Sequence, residues 1–479
     1  MRGVNHQIPA LSPTPVGGRL LGCRVTTNRC EVTATELDEA GCGVGASDGK
    51  TVHVADLLPG ERAEVAIDHT SPHRPEAWAR IVRRLGAPST ERVAPACPGF
   101  GRCGGCVWQH LAYPAQLAKK RERVVQALAD LPAVRTGDVT VAEVRPSPQL
   151  FGYRNKGKYV AGIVARQLVL GAYAPRSHTV IDTLGCKVVA PIIDEVASWV
   201  RGAAETAQLG VYNEATRRGE LRYVVVREAN GDVMVALVIA PGTPADKLER
   251  VASAMSHHPA VRGLVAIEND RKDGSIIPSG ATQKVLFGHG HLVEDLGGVS
   301  IVVGAAEFLQ VNRAQAAAMY ARIAELALDG RTQGRAVDLF AGLGGIGLHL
   351  ARAGLDVVTV EIDRDAVAQL TQAAERAGLR LHALAGDAGD LSHDVREQIG
   401  TVDIAVVNPP RKGLTEGARD LLVELRAPTI VYVSCGPESL GRDLAALAAH
   451  GYIADTIEPF DLMPGTAQVE TIVRLRRAA

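Results

Sequence analysis

The last third of the chain alternates strand-sized apolar runs with helix-sized segments, and this pattern restricts the fold more than any other feature. From about residue 335, helix-like stretches such as RDAVAQLTQAAERAG separate five apolar runs: RAVDLF, DVVTVEI, LRLHALAG, VDIAVVN and TIVYVSC. Strands that alternate with helices form a parallel sheet covered on both faces. We therefore predict a doubly wound, Rossmann-like α/β domain, with YIADTIEPF and ETIVRLRR as an antiparallel pair at its edge.

The rest of the chain predicts two smaller units and a tail. Residues 1–18 are rich in Pro and Gly and are expected to form a flexible tail. In residues 19–86, short apolar runs broken by Gly, Asp-Gly and Pro-Gly predict an OB-like β-barrel. Residues 87–298 form the predicted α+β central domain, where Asn-Gly-Asp between two apolar runs indicates a hairpin. The α/β domain then takes residues 299–479.

Composition and charge indicate a globular protein with a polyanionic partner. Of 479 residues, 46% are hydrophobic and 22% are charged, which excludes global disorder. The net charge of −1 hides an asymmetry, because residues 71–170 contain 16 Lys and Arg against 6 Asp and Glu, whereas residues 331–479 contain 15 against 20. We expect a polyanion to bind the basic part, and a solvated basic surface is the alternative.

The sequence also predicts where the protein works. No apolar run approaches the roughly 20 residues that span a bilayer, and the first residues lack the apolar core of a signal peptide. We expect a cytoplasmic monomer without membrane contact.

A glycine-rich turn follows the first run of the α/β domain. Gly342, Gly344 and Gly347 form G-x-G-x-x-G between a strand and a helix, which permits a tight turn and close approach of a ligand. Glu361, at the end of the second run, is placed to accept hydrogen bonds from two ribose hydroxyls, and Asp387 follows the third run where an adenine would lie. Sites for NAD, FAD and S-adenosylmethionine share this device, and a tight turn without a ligand also fits it.

The fourth run ends in a motif that favours a methyl donor. Asn408 is followed by Pro409, Pro410 and Arg411, and this order fixes backbone carbonyls beside the donor at the carboxyl end of the strand. The alternative function is that of a nicotinamide-dependent iron–sulfur oxidoreductase, and such an enzyme does not require this motif. Enzymes that methylate the amino groups of bases usually place an aromatic residue where Arg411 stands, so that chemistry is disfavoured.

Cys435 ends the fifth run, at the edge where open α/β sheets bind ligands. A buried structural cysteine is the ordinary interpretation. Beside a methyl donor, however, a thiolate is suited to add to C6 of a pyrimidine, which makes C5 electron-rich enough to accept a methyl group. We expect Arg411 or the following helix N-terminus to favour the thiolate. Glu470 is the candidate base for the C5 proton, and a solvated loop carboxylate is the alternative.

A cysteine group lies in the central domain. Cys97, Cys103 and Cys106 form C-x5-C-x2-C in a glycine-rich loop, and Cys186 is a possible fourth ligand from a distant segment. Four thiolates fit a [4Fe–4S] cluster or tetrahedral zinc, and a loop with one remote cysteine favours iron–sulfur.

Taken together, these residues resemble the RNA uracil-5-methyltransferase family, S-adenosylmethionine-dependent enzymes that make 5-methyluridine. The resemblance covers nearly the whole chain, and the motifs that match are FGYRNKGKYV, GAYAPRSHTVID, FLQVN, DLFAGLGGIGL, VEID, NPPRKG, YVSCGPESLGRDL and PGTAQVE. It implies a TRAM-type barrel, catalysis by Cys435 and Glu470, and a [4Fe–4S] cluster on the four cysteines. It also implies that Gln310, Phe340 and Gly345 join Gly342, Gly344, Glu361, Asp387 and Asn408 in binding the donor.

The same resemblance implies 23S ribosomal RNA as the substrate, because transfer RNA members generally lack both the barrel and the cysteines. Transfer RNA is the alternative. A second alternative is a non-catalytic RNA-binding protein with residual donor affinity, because the chain departs from the family pattern. Asn408 stands where many members have Asp, Gly436 stands where they have Asn, and the segment Met463–Glu470 lacks both histidines of the usual ending.

Overall fold

The computed structural model describes residues 29–271, 276–277, 281–305 and 307–478. The predicted tail 1–18 and residues 19–28 of the predicted barrel lie outside the described residues. The strands are β1 (Arg29–Thr33), β2 (Glu36–Leu37), β3 (Cys42–Ser47), β4 (Lys50–Ala55), β5 (Arg62–Thr70), β6 (Glu76–Leu85), β7 (Lys156–Val164), β8 (Gln167–Tyr173), β9 (Val180–Asp182), β10 (Leu221–Ala229), β11 (Asp232–Ile239), β12 (Val261–Glu268), β13 (Gln283–Gly288), β14 (His291–Asp295), β15 (Ser300–Gly304), β16 (Arg335–Leu339), β17 (Asp356–Glu361), β18 (Leu381–Ala385), β19 (Ile404–Val407), β20 (Thr429–Ser434), β21 (Tyr452–Phe460) and β22 (Glu470–Arg477). The helices are α1 (Tyr113–Ala127), α2 (Pro132–Arg135), α3 (Pro191–Thr206), α4 (Ala245–Met255), α5 (Arg313–Leu328), α6 (Gly345–Arg352), α7 (Arg364–Ala377), α8 (His393–Ile399), α9 (Glu416–Leu425) and α10 (Pro437–Ala448).

The N-terminal sheet is a curled half-barrel with the strand order β1-β5-β6-β4-β3-β2. Its curl brings β3 against β1, and a Cβ on Gly45 would lie only 2.3 Å from the carbonyl oxygen of Thr33. The absence of a side chain at Gly45 permits this close approach of two backbones. The OB-like prediction for this part of the chain is confirmed.

The central sheet has the order β13-β12-β11-β10-β7-β8-β9 and places α3 and α4 on one face. Its predicted hairpin is β10–β11, whose turn has Asn230 and Gly231 at φ values of 53° and 89°. Two consecutive residues with positive φ are what a tight hairpin turn of primed type needs, and Asn-Gly supplies them. The mixed α+β character of this region is confirmed.

The C-terminal sheet has the order β18-β17-β16-β19-β20-β22-β21 and confirms the doubly wound prediction. The strands from β18 to β20 are parallel, and every residue of β19 and β20 is buried, as expected for strands covered on both faces. The predicted antiparallel edge pair is also present. Its second strand, β22, lies inside the sheet between β20 and β21.

Helix α1 comes early in the chain but packs on the C-terminal sheet. Val124 and Leu128 are fully buried in the same apolar cluster as Tyr432 of β20, and Val141 forms a bridge with Ile457 of β21. This contact ties the segment behind the cysteine loop to the α/β domain. The predicted domain boundaries at residues 86 and 298 stay predictions.

The 461–469 loop, which joins β21 to β22, is held by donors from outside the C-terminal sheet. Its carbonyl oxygens accept hydrogen bonds from five such groups at 2.5–3.3 Å: Asn312 Nδ2 to Leu462, Lys120 Nζ to Met463, Tyr153 Oη to Pro464, Trp108 N to Gly465 and Arg123 Nη1 to Ala467. Because four of these donors precede residue 160, the position of the loop depends on the earlier part of the chain.

A buried ion pair anchors the start of this loop. Lys120 Nζ lies 2.6 Å from Asp461 Oδ1, and both side chains have no solvent exposure. Tyr113 Oη donates to the other oxygen of Asp461 at 2.9 Å. Burial lowers the pKa of Lys120, and the carboxylate of Asp461 opposes that shift. Each charge of the pair therefore neutralises the other, and removing either charge leaves the other without a counterion.

No helix in the described ranges is long and apolar enough to cross a membrane.

We predict that Lys120→Met lowers the free energy of unfolding by about 3–5 kcal/mol, because it leaves a buried carboxylate unpaired. Chemical denaturation measures this. Lys119→Met is the matched control, since the neighbouring Lys119 is part of a solvent-exposed pair with Glu122 and its loss is expected to cost less than about 1 kcal/mol. Equal losses in the two variants would contradict a special role for the buried pair.

Candidate active site

A cavity of about 530 Å³ opens at the carboxyl edge of the C-terminal sheet. Strands β16, β17, β19 and β20 all point their carboxyl ends at it, which is where this class of sheet binds ligands. Eight of the predicted donor and catalytic residues line the cavity: Gln310, Phe340, Gly342, Gly345, Glu361, Asn408, Cys435 and Glu470.

The glycine-rich turn forms the floor of this cavity. Phe340, Gly342 and Gly344 have φ values of 63°, 55° and 81°. Gly344 does not line the cavity, but it makes the turn possible, since a Cβ there would lie 2.1 Å from Leu370 Cδ1. Phe340 holds a left-handed conformation that is uncommon for a residue with a side chain, and such strain is often found at functional sites.

Glu361 fixes the turn from the neighbouring strand. Its Oε2 accepts a hydrogen bond from the Gly342 amide at 2.8 Å, and its Oε1 accepts one from the Asp363 amide at 3.0 Å. A carboxylate offers about four acceptor positions, so both oxygens keep capacity for a ligand's hydroxyl groups. The geometry is compatible with the predicted ribose contact.

Asp387 lies outside the residues that line the cavity. Its side chain is exposed, and its Oδ1 accepts a hydrogen bond from the Gly389 amide at 2.9 Å. The structure therefore does not bring Asp387 together with the other predicted donor residues, and its contact with an adenine stays a prediction.

Gln310 and Asn408 contribute amide groups to the cavity wall. Gln310 is only 5% exposed, and its carbonyl oxygen accepts a hydrogen bond from Asn155 Nδ2 at 3.5 Å. The backbone amide of Asn155 donates to the next carbonyl, that of Val311, at 2.9 Å. Asn408 directly follows β19, so it lies at the strand end that the sequence predicted.

Cys435 and Glu470 face each other across two paired strands. Ser434 of β20 is opposite Thr471 of β22, so in this antiparallel register the next position places Cys435 opposite Glu470. Burial raises the pKa of Glu470 to about 7, although Arg411 opposes the shift. The carboxyl group is therefore able to gain or lose a proton near neutral pH.

The predicted effect of Arg411 on the Cys435 thiol is present, but burial opposes it. Burial raises the pKa of Cys435 above its ordinary value, and the nearby charge of Glu470 adds to this effect. Arg411 lowers the pKa, as expected, but only in part. Arg411 is thus the group in this cavity that favours the thiolate against the effect of burial.

Phe308 and Tyr320 are among the cavity residues that the sequence analysis missed. Phe308 is 74% exposed at the rim, although a large apolar side chain is normally covered. It belongs to the FLQVN motif, which was used only for Gln310. Tyr320 lies against Gly345, where a Cβ would be 2.7 Å from its ring. Only the helical spacing of α5 could have indicated that Tyr320 faces the cavity.

The four cysteines of the central domain are neighbours. The Cys103 thiol interacts electrostatically with Cys97 and Cys186, and the Cys106 thiol with Cys103 and Cys186. In the described ranges, no three His, Cys, Asp or Glu side chains are arranged to hold one metal ion. Thiolates of a four-iron cluster each bind a different iron, so they lie further apart than ligands of a single zinc ion. The arrangement is compatible with a cluster but does not support it, and the cluster stays a prediction.

Asp338 of β16 lies beneath the glycine-rich turn and has no solvent exposure. Its Oδ2 would be 3.2 Å from a Cβ on Gly347, so the carboxyl group meets the first turn of α6. Burial raises its pKa to about 8, and the Gly347 amide opposes this only in part.

We predict that Asp338→Asn flattens the decline of stability with pH. Between pH 4 and 8 the native carboxyl group keeps a proton that the unfolded chain has lost, so native stability falls as pH rises, by up to about 1.4 kcal/mol per pH unit. Asparagine cannot ionise and lacks this contribution. Thermal unfolding of both proteins across this range measures the difference, and parallel curves would show that Asp338 has an ordinary pKa.

Comparison with known proteins gives the family. A family model described as tRNA (Uracil-5-)-methyltransferase matches residues 390–478, and one described as Methyltransferase small domain matches residues 321–425. An uncharacterized RNA methyltransferase of Halalkalibacterium halodurans is 32% identical over 455 residues, which is 93% of this chain and 96% of the relative. One of Geobacter sulfurreducens is 34% identical over 456 residues, covering 93% of this chain and 89% of the relative.

A solved structure shares the fold over nearly the whole chain. The tRNA (uracil-54, C5)-methyltransferase of Pyrococcus abyssi, solved with S-adenosyl-L-homocysteine, has a TM-score of 0.73 at 24% identity and covers 93% of this chain and 100% of its own. With the full-length relatives and the residues gathered around the cavity, these matches show that the chain belongs to the RNA uracil-5-methyltransferase family.

Proposed function

We propose that this protein transfers a methyl group from S-adenosylmethionine to C5 of a uridine in RNA, through a covalent bond between Cys435 and C6. The observation that supports this most is the pairing of Cys435 with Glu470 in a single cavity, beside the glycine-rich turn and Glu361. A nucleophile and a base on one side, and a nucleoside-binding turn on the other, are what the reaction requires.

The donor is proposed to lie over the glycine-rich turn. Glu361 would accept the ribose hydroxyls, and Phe340, Gly342, Gly345, Gln310 and Asn408 would surround the rest of the molecule. Gly344 shapes the turn beneath it. The uridine would then enter from the side of Cys435 and the exposed ring of Phe308, which offers a face for a base to stack on.

The chemistry follows from the two facing groups. Cys435 loses its proton to water and its sulfur bonds to C6, which places negative charge on C5 and O4. C5 then bonds to the methyl carbon as the donor's sulfur–carbon bond breaks, and the sulfonium becomes a neutral thioether. Glu470 removes the C5 proton, the C5–C6 double bond forms again, and the thiolate leaves. A base with a pKa of about 7 is suited to this task at neutral pH.

The favoured substrate is 23S ribosomal RNA, because transfer RNA members of the family generally lack both the barrel and the cysteines. Transfer RNA is the alternative, and it is the substrate of the Pyrococcus abyssi tRNA (uracil-54, C5)-methyltransferase, whose fold this chain shares. The target base must leave its stack to reach Cys435, at a cost of a few kcal/mol. We also propose that the protein acts as a cytoplasmic monomer.

We propose that Cys97, Cys103, Cys106 and Cys186 bind a [4Fe–4S] cluster. When bound, the cluster would join the cysteine loop to the segment around Cys186. No electron transfer is needed, because the sulfonium methyl group is already electrophilic. The cysteine loop contacts the 461–469 loop directly, since a Cβ on Gly465 would lie 3.6 Å from Cys106 Cβ.

We predict that wild-type protein forms a denaturation-resistant complex with RNA that contains 5-fluorouridine. Fluorine cannot leave C5 as a cation, so the bond from Cys435 to C6 persists. Cys435→Ala is expected to abolish both this complex and the transfer of label from tritiated S-adenosylmethionine. Glu470→Gln should accumulate the complex on ordinary uridine, because the C5 proton is retained.

The same assay with unmodified 23S ribosomal RNA and transfer RNA identifies the substrate. Label in transfer RNA alone would overturn the ribosomal proposal. Donor binding without label in either RNA would favour a non-catalytic RNA-binding protein.

For the cysteine group, we predict that protein purified without oxygen contains iron and acid-labile sulfide, and that Cys186→Ser loses most of both. Cys30→Ser is the matched control, because Cys30 lies in β1, away from this group. Stoichiometric zinc without sulfide would contradict the cluster, whatever the methylation activity.

A further inference from the structure

Gln468 contacts the cation that lies beside the nucleophile. Arg411 Nη2 donates a hydrogen bond to Gln468 Oε1 at 3.1 Å, and both residues line the cavity together with Cys435 and Glu470. The charge of the guanidinium also acts on the Cys435 thiol and lowers its pKa. Arg411 therefore connects an amide on the 461–469 loop to the sulfur at the end of β20.

Within the described ranges, Arg411 forms no ion pair with a carboxylate. Other arginines of the C-terminal domain do pair with carboxylates, such as Arg419 with Asp443 at 3.3 Å. An amide oxygen orients a guanidinium without supplying negative charge. The positive charge of Arg411 thus remains available to the groups in the cavity.

The backbone around Gln468 is fixed, so its amide has a defined position. The Gln468 amide nitrogen donates to Thr466 Oγ1 at 3.2 Å, and that hydroxyl donates to the Met463 carbonyl at 2.8 Å. The preceding carbonyl, that of Ala467, accepts from Arg123 at 2.5 Å. The loop that is anchored by Lys120 and Asp461 therefore determines where Gln468 holds Arg411.

The charged and titratable groups around Cys435 come from four elements. Glu470 on β22 raises the pKa of the thiol, and Arg411 after β19 lowers it. Tyr432 on β20 directs its hydroxyl to Asp443 at 2.6 Å, and Glu438 in the first turn of α10 pairs with Arg123 at 3.4 Å. Arg411 is the cation among these groups that acts on the thiol directly.

We propose that Gln468 is a positioning residue, which holds the Arg411 guanidinium against the Cys435 sulfur and leaves its charge uncompensated. This inference rests on the proposed function, in which Cys435 is the nucleophile. It assigns a role to the position at which the chain has glutamine in place of the second histidine of the family pattern. Unlike histidine, an amide keeps the same charge across the working pH range.

The test is the ionisation of Cys435 in variants of Gln468. The rate of iodoacetamide alkylation of the peptide that contains Cys435, followed by mass spectrometry against pH, reports the thiolate without requiring methyl transfer. For Gln468→Ala we expect the midpoint to rise by about half to one pH unit, with a threefold to tenfold slower alkylation near neutral pH. The kcat for methylation should fall by a similar factor, while the KM for the donor changes little.

Gln468→Glu separates positioning from simple packing. It has nearly the same shape and keeps an oxygen for Arg411, so a purely structural role predicts little effect. If the uncompensated charge matters, the new carboxylate neutralises Arg411 and raises the midpoint at least as far as Gln468→Ala does. In an Arg411→Met background, Gln468→Ala should produce no further shift.

Alkylation profiles of both Gln468 variants that superimpose on the wild type would overturn the proposal. So would a full Gln468→Ala shift in the Arg411→Met background. If the profiles shift as expected but the wild type methylates no RNA, the positioning role stands and the proposed function fails. If Cys435→Ala abolishes methylation while the profiles do not move, only the positioning role fails.

Discussion

The buried contact between Lys120 and Asp461 is the interaction on which the arrangement of the active site depends. Two opposite charges without water have one low-energy arrangement, so the start of the 461–469 loop has one position. Such a pair adds less to stability than its Coulomb energy suggests, because both ions lose hydration. Its value is in geometry: it joins a helix near the cysteine loop to the segment that leads into Glu470.

The chemistry of the cavity depends on a balance between burial and one cation. Burial raises the pKa of both Cys435 and Glu470, and Arg411 opposes both shifts. A raised pKa makes a thiol less reactive toward oxidants and electrophiles, because the thiolate is the reactive form. In the proposed reaction both groups act in their charged forms, so the position of Arg411 bears on both of them.

Local sequence patterns predicted the architecture well, because they depend on neighbouring residues. The alternation of strand-sized and helix-sized segments predicted the parallel strands, and Asn230 with Gly231 predicted the hairpin turn. The ends of the apolar runs predicted that Asn408 and Cys435 lie at the carboxyl edge of the sheet. The sequence could not give properties that depend on distant contacts. The donors to the 461–469 loop lie hundreds of residues away, and the raised pKa of Cys435 comes from burial that no local pattern records. The position of Asp387 after the third apolar run predicted that it lies in the donor site, but in the structure its side chain is exposed to solvent.

The position of β22 has a consequence for how activity arises during synthesis. This strand is made after β21, yet it lies between β21 and β20, and Glu470 is its first residue. A nascent chain that stops before Glu470 has the complete glycine-rich turn and the sulfur of Cys435, but it lacks both the inner strand and the proposed base. Under the proposed mechanism, a fragment released by interrupted translation therefore cannot complete a catalytic cycle, and insertion of the last strand completes the site.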